Sequence, residues 1–345
     1  MNTTAAAPAG RSSRSRAYIW FGYAISAACL VYVLHGFHVK RAIEQLADVS
    51  WRWAVLGISF DVASYVVQAL RWKLLLVPFG RVKMRDATRA VFAGLFANLI
   101  FPLRPGELLR AYLVSKDEDI GLGTVVGSVL VERLIDLVVT TAGLGVMLLI
   151  VPAPIRFRHA ASALGIATLA LLGLFIAMIL YIELRFGGDP RRMSGGRRVP
   201  GRLMSALIGL HTMGTSPSFY PTVFASLLMP FCQALALWAM MRSYGIGLPF
   251  LAAVVVLLVI NLGVSLPNAP ANVGPYQFFC VLGLSIFAVV DKTTATGFSM
   301  FAFVMLAVLP FLFLGFYAVI RSGLSMRSMR EQMSRLPSEA RATQT

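Results

Sequence analysis

Acidic residues are scarce in this chain. Fifteen Asp and Glu stand against 31 Lys and Arg in 345 residues, a formal net charge of +16. Charged residues make up only 13% of the chain, about half the share usual in soluble domains, whereas 58% are hydrophobic. Cysteine is nearly absent too. Cys29, Cys232 and Cys280 lie far apart in apolar runs, where they read as small buried hydrophobes. The four histidines, His35, His38, His159 and His211, are equally scattered, which excludes a zinc or haem pattern. No G-x-x-x-x-G-K-[ST] loop occurs, so an ATP-driven pump of that type is excluded. Neither H-E-x-x-H nor G-x-S-x-G is present. Gly121 to Gly127 has the spacing G-x-G-x-x-x-G with no strand before it, so it is no dinucleotide loop. Aromatics interleaved with the basic residues, which a nucleic-acid binder would need, are few. The basic balance instead reads as positive-inside loops, with some attraction to anionic lipid headgroups. No nucleic acid, metal or cofactor is expected.

What the chain does have is long apolar runs, the mark of an all-α polytopic membrane protein. Residues 1–16 are rich in Ala, Ser and Arg and read as a disordered cytoplasmic N-terminus. The run Ala17 to Leu34 is longer than a signal-peptide core and lacks a cleavage pattern, so we read it as an uncleaved first span. Residues 36–53 suit the interface, anchored by Trp51 and Trp53. A second span, about Ala54 to Leu70, contains Asp61 and Gln68, and a basic segment beginning at Arg71 follows it. Gly121 to Val151 reads as one long helix opened by a small-xxx-small pattern, Gly123 to Gly127. Further spans fall at 160–184, 220–241, 248–266 and 294–320, separated by an arginine-rich loop, 185–218, and followed by a polar tail, 322–345.

Two apolar segments are broken. The first runs from Ala90 to Phe101, too short to cross a bilayer, and meets Pro102, Pro105 and Gly106 among Arg104, Glu107 and Arg110. The second is interrupted at Pro267, Asn268, Pro270, Asn272 and Gly274, ahead of Gln277. Both share a Pro-x-x-Pro spacing, an upstream Asn (Asn98, Asn261) and a downstream Gly. Charge decides how they insert. If every apolar run crossed, the 185–218 loop and the tail would fall outside, against the positive-inside rule. If both broken segments, about 90–120 and 261–290, are re-entrant hairpins, about six helices cross fully and the rule is obeyed. Only Lys40, Arg41, Arg52, Arg156, Arg158, Arg242 and Lys292 then face out, and Arg133 stays within the membrane. The two hairpins enter from opposite sides, which points to an inverted repeat with a site near the midplane, the alternative being two unrelated proline-containing loops. Backbone broken at that depth is tolerated only inside protein or beside a water-filled cavity.

Chemistry concentrates on the helix 121–151. Glu132 and Asp136 are four residues apart and Arg133 and Asp136 three apart, so they share a face. Each such charge at the centre of a lone helix costs about 2.5–3.5 kcal/mol. The group must pair internally, face a polar cavity or lie near a surface. Two readings stand: an ion-pair knot that locks helices together, or a headgroup or proton site. Asp61 is a proton-site candidate, or simply a hydrogen-bond partner for a neighbouring helix.

Three motifs carry a resemblance: Pro102-Leu-Arg-Pro-Gly-Glu-Leu-Leu-Arg110, Gly127-Ser-Val-Leu-Val-Glu-Arg-Leu-Ile-Asp136 and Pro270-Ala-Asn-Val-Gly-Pro-Tyr-Gln277. Together they resemble the flippase-like membrane domain of lysylphosphatidylglycerol synthases, over about residues 15–325. Ala271 stands where that family more often has Gly, so the second turn is expected to differ. The resemblance covers the membrane domain and not the soluble synthase domain of the longer relatives, so lipid aminoacylation is not expected from it. The resemblance implies a flippase-like domain over 17–321 that moves a lipid across the bacterial inner membrane, and the charge balance places both termini in the cytoplasm. Arg104, Arg110 and Arg133 would pair with an anionic headgroup, since Arg offers bidentate geometry. Glu107, Glu132 and Asp136 would complete the site, and Asn268, Asn272 and Gln277 would hydrogen-bond from the second hairpin. Membrane lipids are the expected partners, with lipid-biosynthesis enzymes beside them. Two other classes stay open: an intramembrane transferase using Glu107, Glu132 and Asp136 as acid and base, or a non-catalytic subunit of a lipid-synthesis complex.

Overall fold

A computed structural model describes residues 13–101, 105–151, 216–265, 270–287 and 290–323, with scattered positions between 159 and 180. Among the described residues every element is helical: α1 (Ser13–Leu34), α2 (Val39–Ala47), α3 (Trp51–Leu76), α4 (Met84–Ile100), α5 (Gly106–Asp117), α6 (Leu122–Ile150), α7 (Phe219–Ser243), α8 (Phe250–Val264), α9 (Pro275–Ser285) and α10 (Lys292–Arg321). Four of them, α3, α6, α7 and α10, are long and apolar enough to cross a membrane. The residues Trp20–Leu34 of α1, taken with α2 beyond a bend of 81°, make a fifth candidate. A further expected span, 160–184, lies largely outside the described residues, as do the 185–218 loop, the first twelve residues and the tail from 324. The outer surface agrees with a lipid solvent: Trp20, Leu149, Tyr220, Phe224 and Phe313 are all more than half exposed. This is a multi-pass membrane protein.

Local sequence explains where the helices stop and start. Pro105 precedes α5 and Pro275 opens α9, where a missing N–H costs nothing because no acceptor awaits it. Asp291 caps α10, its carboxylate accepting from the Thr293 and Thr294 amides at 3.1 and 3.2 Å. Within α10, Pro310 has no N–H to offer the preceding turn. The helix widens to π geometry on either side, at Val304–Val308 and Phe311–Gly315.

Two helix–break–helix pairs fold back on themselves, and each nucleates one core. Around α4 and α5 gather Trp72, Leu76, Phe92, Phe96, Leu109, Leu113, Val125 and Val319. Around α8 and α9 gather Leu237, Met240, Val256, Ile260, Leu284 and Phe298. Helix α3 enters both cores and runs antiparallel to α7, and the two form the largest helix–helix interface among the described residues. Their ends are tied where the Ser50 amide donates to the Ser243 carbonyl at 2.9 Å and the Ser243 hydroxyl donates back to the Ser50 carbonyl at 3.0 Å.

Candidate functional site

The first break is held by backbone proximity. Gly94 on α4 meets Gly106 on α5 so closely that a Cβ on Gly94 would lie 2.6 Å from the Gly106 carbonyl oxygen. Only glycine lets two helices approach this near. The Asn98 side-chain oxygen then accepts from the Gly106 amide at 2.8 Å, closing the turn. Pro105 and Gly106 sit at this break, while Pro102 and Arg104 lie outside the described residues.

That close packing brings α5 against α3 and α6, where ionised groups converge. Glu132, fully buried, is the centre. It accepts from Arg71 at 2.6 Å, from Arg110 at 2.6 Å and from Gln68 at 3.0 Å. Arg71 also bridges to both oxygens of Asp136, at 2.5 and 3.2 Å. Arg133 pairs with Glu107 and lies 3.8 Å from Asp136. The Arg110 guanidinium stands 4.9 Å from the Trp72 ring centroid, and the Trp72 indole donates to the Ser128 hydroxyl at 2.9 Å. Three arginines thus meet three carboxylates, and the group is electrically neutral within itself. Pairing offsets the insertion cost each charge would carry alone.

Arg71 was not expected here. The apolar run ends near Leu70 and a basic segment begins at Arg71, whereas α3 continues to Leu76 and buries the guanidinium completely. A signal existed: no breaker interrupts the chain before Pro78, and Gln68, Arg71 and Trp72 fall on one helical face with Asp61 and Tyr65.

Beside the ionic group lies a cavity of about 320 Å³, within the range of small-molecule sites. Asp61, Tyr65 and Gln68 of α3, Asn98 of α4, Arg133 and Asp136 of α6, Gln233 of α7, Asn261 of α8, and Ala271, Asn272 and Tyr276 of the second pair line it. Leu306, Ala307 and Phe311 of the widened part of α10, with Phe303 just before it, close the cavity. Both broken pairs therefore reach one chamber. Of the ionic group, Arg133 and Asp136 are also in its wall. Asp61 is 5% exposed, and its Oδ2 has no hydrogen-bond partner among the described residues.

The second break is built differently. Ala271 and Asn272 adopt left-handed backbone, φ 58° and 62°, and Gly274 has φ 94°. Ala271 thus holds the conformation glycine favours and bears the strain of its Cβ. Gly274 packs on α1, where a Cβ would come within 3.0 Å of the Ser26 backbone. Gln277 is buried, and its side-chain oxygen accepts from the Gly274 amide at 2.8 Å. It closes a turn, whereas Asn272 lines the cavity. Pro270 and Gly274 bracket this turn, and Pro267 and Asn268 lie outside the described residues. Among the described residues no group of three His, Cys, Asp or Glu side chains is placed to hold a metal ion.

Comparison with known proteins adds to this geometry. Residues 19–315 match the family described as the lysylphosphatidylglycerol synthase TM region. A stretch of 112 residues, 32% of the chain, is 36% identical to the glycosyltransferase AglD of Haloferax volcanii and covers 18% of that protein. A stretch of 115 residues is 28% identical to a UPF0104 membrane protein of Methanocaldococcus jannaschii, covering 32% of this chain and 34% of that one. The matches thus span about a fifth and a third of those relatives.

Proposed function

Since this chain belongs to the lysylphosphatidylglycerol synthase TM region family, we propose that it translocates a lipid, or lipid-linked molecule, with an anionic headgroup across the bilayer without ATP hydrolysis. The observation that carries this reading is the chamber of about 320 Å³ with ionised and amide side chains in its wall, set within an apolar bundle. A headgroup crossing the membrane needs such a polar stop, because bare passage through hydrocarbon leaves its polar groups unsatisfied. In this proposal the pairs α4–α5 and α8–α9 are re-entrant hairpins of an inverted repeat with about six full spans. The 185–218 loop and both termini face the cytoplasm of a bacterial cell. Arg133, in the cavity wall, meets the anionic group, with Arg104 and Arg110 nearby in sequence and Asp136, Glu132 and Glu107 holding the arginines in place. Asn272 and Asn268 serve the headgroup from the second pair, beside the turn that Gln277 closes. Asp61 is the candidate for carrying a proton. Membrane lipids are the partners, with enzymes of lipid synthesis supplying them.

The test is transfer of a labelled anionic lipid between leaflets of vesicles containing the purified protein. Transfer above protein-free vesicles is expected, slowed by roughly tenfold in Arg133→Ala, the loss of one charge-assisted contact. Absence of transfer, or an Arg133→Ala variant that matches the wild type, overturns the reading. A second reading, an intramembrane transferase, draws on the name of the haloarchaeal relative. Turnover of a labelled lipid-linked sugar donor by the purified chain would favour it.

A further inference from the structure

Two acceptor atoms in the cavity wall remain unused. Asp61 Oδ2 and Gln68 Oε1 are both buried and lack a hydrogen-bond partner among the described residues. Both side chains are at least nine-tenths buried, 5% and 6% exposed, and both line the chamber. The Gln68 orientation is fixed, because its amide nitrogen donates to Glu132 at 3.0 Å and its oxygen would be repelled there. Buried acceptors without donors are rare in folded proteins, so two in one cavity wall point to a ligand that supplies donors.

Spacing narrows the ligand. Residues 61 and 68 are two helical turns apart, about 10.5 Å along α3. A bound cation holds its oxygens at about 2.3–2.6 Å, so a single ion would need both side chains turned toward each other past Tyr65, which lies between them on the same face. A fully ionised phosphate offers acceptors where donors are needed. An extended group with several hydroxyls meets both demands. Between the two acceptors, on the same face, stands Tyr65, and Tyr276 faces the same chamber from the second pair. Their rings are held edge-on or tilted against Phe311 and Phe303, at 5.2 and 5.3 Å between centroids. Aromatic faces with amides at their edge, here Asn261 and Asn272, suit the apolar face and hydroxyl rim of a sugar ring.

We infer that the chamber recognises a hydroxyl-rich, glycosyl-type headgroup, with Asp61 and Gln68 accepting from its hydroxyls and Tyr65 and Tyr276 flanking the ring. This rests on the translocation reading and specifies its substrate: the sugar lies along α3 and any phosphate beside Arg133. It also separates two roles for Asp61. A carboxamide still accepts a hydrogen bond but carries no proton.

The experiment measures binding in detergent, so it stands apart from transfer. The purified full chain is titrated with a short-chain phosphatidylglucose and with phosphatidic acid bearing the same chains, with and without sodium chloride at constant ionic strength. The sugar-bearing lipid is expected to bind at least about tenfold tighter than phosphatidic acid. Gln68→Leu and Asp61→Ala should each weaken it about five- to tenfold, while Asp61→Asn keeps most of the affinity. Near-UV circular dichroism and the thermal midpoint of each variant report whether it folds. Should a variant fail to fold, the wild-type ratio of the two lipids decides alone. Equal binding of both lipids, variants indistinguishable from wild type, or displacement of the sugar by sodium ion overturns the inference. Sugar binding without transfer would sink the translocation reading and leave this one standing, whereas transfer indifferent to headgroup hydroxyls would do the reverse.

Discussion

The two broken helix pairs share a proline spacing and a chamber, yet they are held together by different forces. The α4–α5 pair is anchored to the rest of the bundle by charge. Arg110 and Glu107 tie it to Glu132 and Arg133 of α6, while Gly94 and Gly106 bring the backbones into contact. The α8–α9 pair has no ionised residue in either helix. It depends on a side-chain amide, three residues with positive φ, and the approach of α1 to Gly274. In an apolar surrounding, ion pairs strongly punish the loss of one partner, whereas a neutral turn yields in smaller steps. The charged pair is thus suited to be the fixed wall of the chamber, and the neutral pair to be the more adjustable one.

Removing the centre of the charged pair should have the largest effect. Glu132→Ala leaves Arg71 and Arg110 buried without their shared acceptor, and a loss of about 3–5 kcal/mol is expected. Thermal unfolding in detergent measures it, and a loss under about 1 kcal/mol would end the contrast between the pairs. Next come the backbone contacts. Gly106→Ala drives a methyl into the Gly94 carbonyl, and about 1–3 kcal/mol or more is expected from overpacking. In the neutral pair, Gln277→Leu strips the Gly274 amide of its acceptor and should cost about 1–3 kcal/mol. Asn98→Leu does the same in the first pair, and the two should match if turn closure is independent of charge. Ala271→Gly should stabilise by about 1 kcal/mol, since it relieves a left-handed residue. No gain there would mean that the second break tolerates its strain at no cost.

The smallest effect is expected outside both pairs, at the cap of α10. Burial pushes the Asp291 carboxyl up, but hydrogen bonds from Thr294 and Thr293 and the Arg41 charge outweigh it and hold it below the ordinary aspartate value. A carboxyl depressed in the folded state stabilises above its unfolded value and loses that contribution as pH falls through the folded one. Midpoints measured from pH 5 down to pH 3 should fall slightly less for Asp291→Asn than for the wild type.

Much of the architecture was legible in one dimension. Apolar runs long enough to cross hydrocarbon, ended by proline or by charge, marked α3, α6, α7 and α10. Proline and glycine in Pro-x-x-Pro-Gly marked the first break, because they remove a donor and permit close approach. The length of α3 was misjudged by six residues at its end, since a basic residue normally closes a span. Here it continues one because carboxylates on α6 receive it.

Composition and periodicity by themselves determined that this chain lives in a membrane, where its helices break, and that Glu132, Arg133 and Asp136 needed polar company. Those follow from hydrocarbon, which rejects both unpaired backbone and unpaired charge wherever they fall along the chain. Which charges answer one another was decided only in three dimensions. Arg71 and Glu132 are 61 residues apart, and nothing local tells a loop arginine from one folded back into a carboxylate's reach. The same holds for the chamber, because a void is a property of several helices at once.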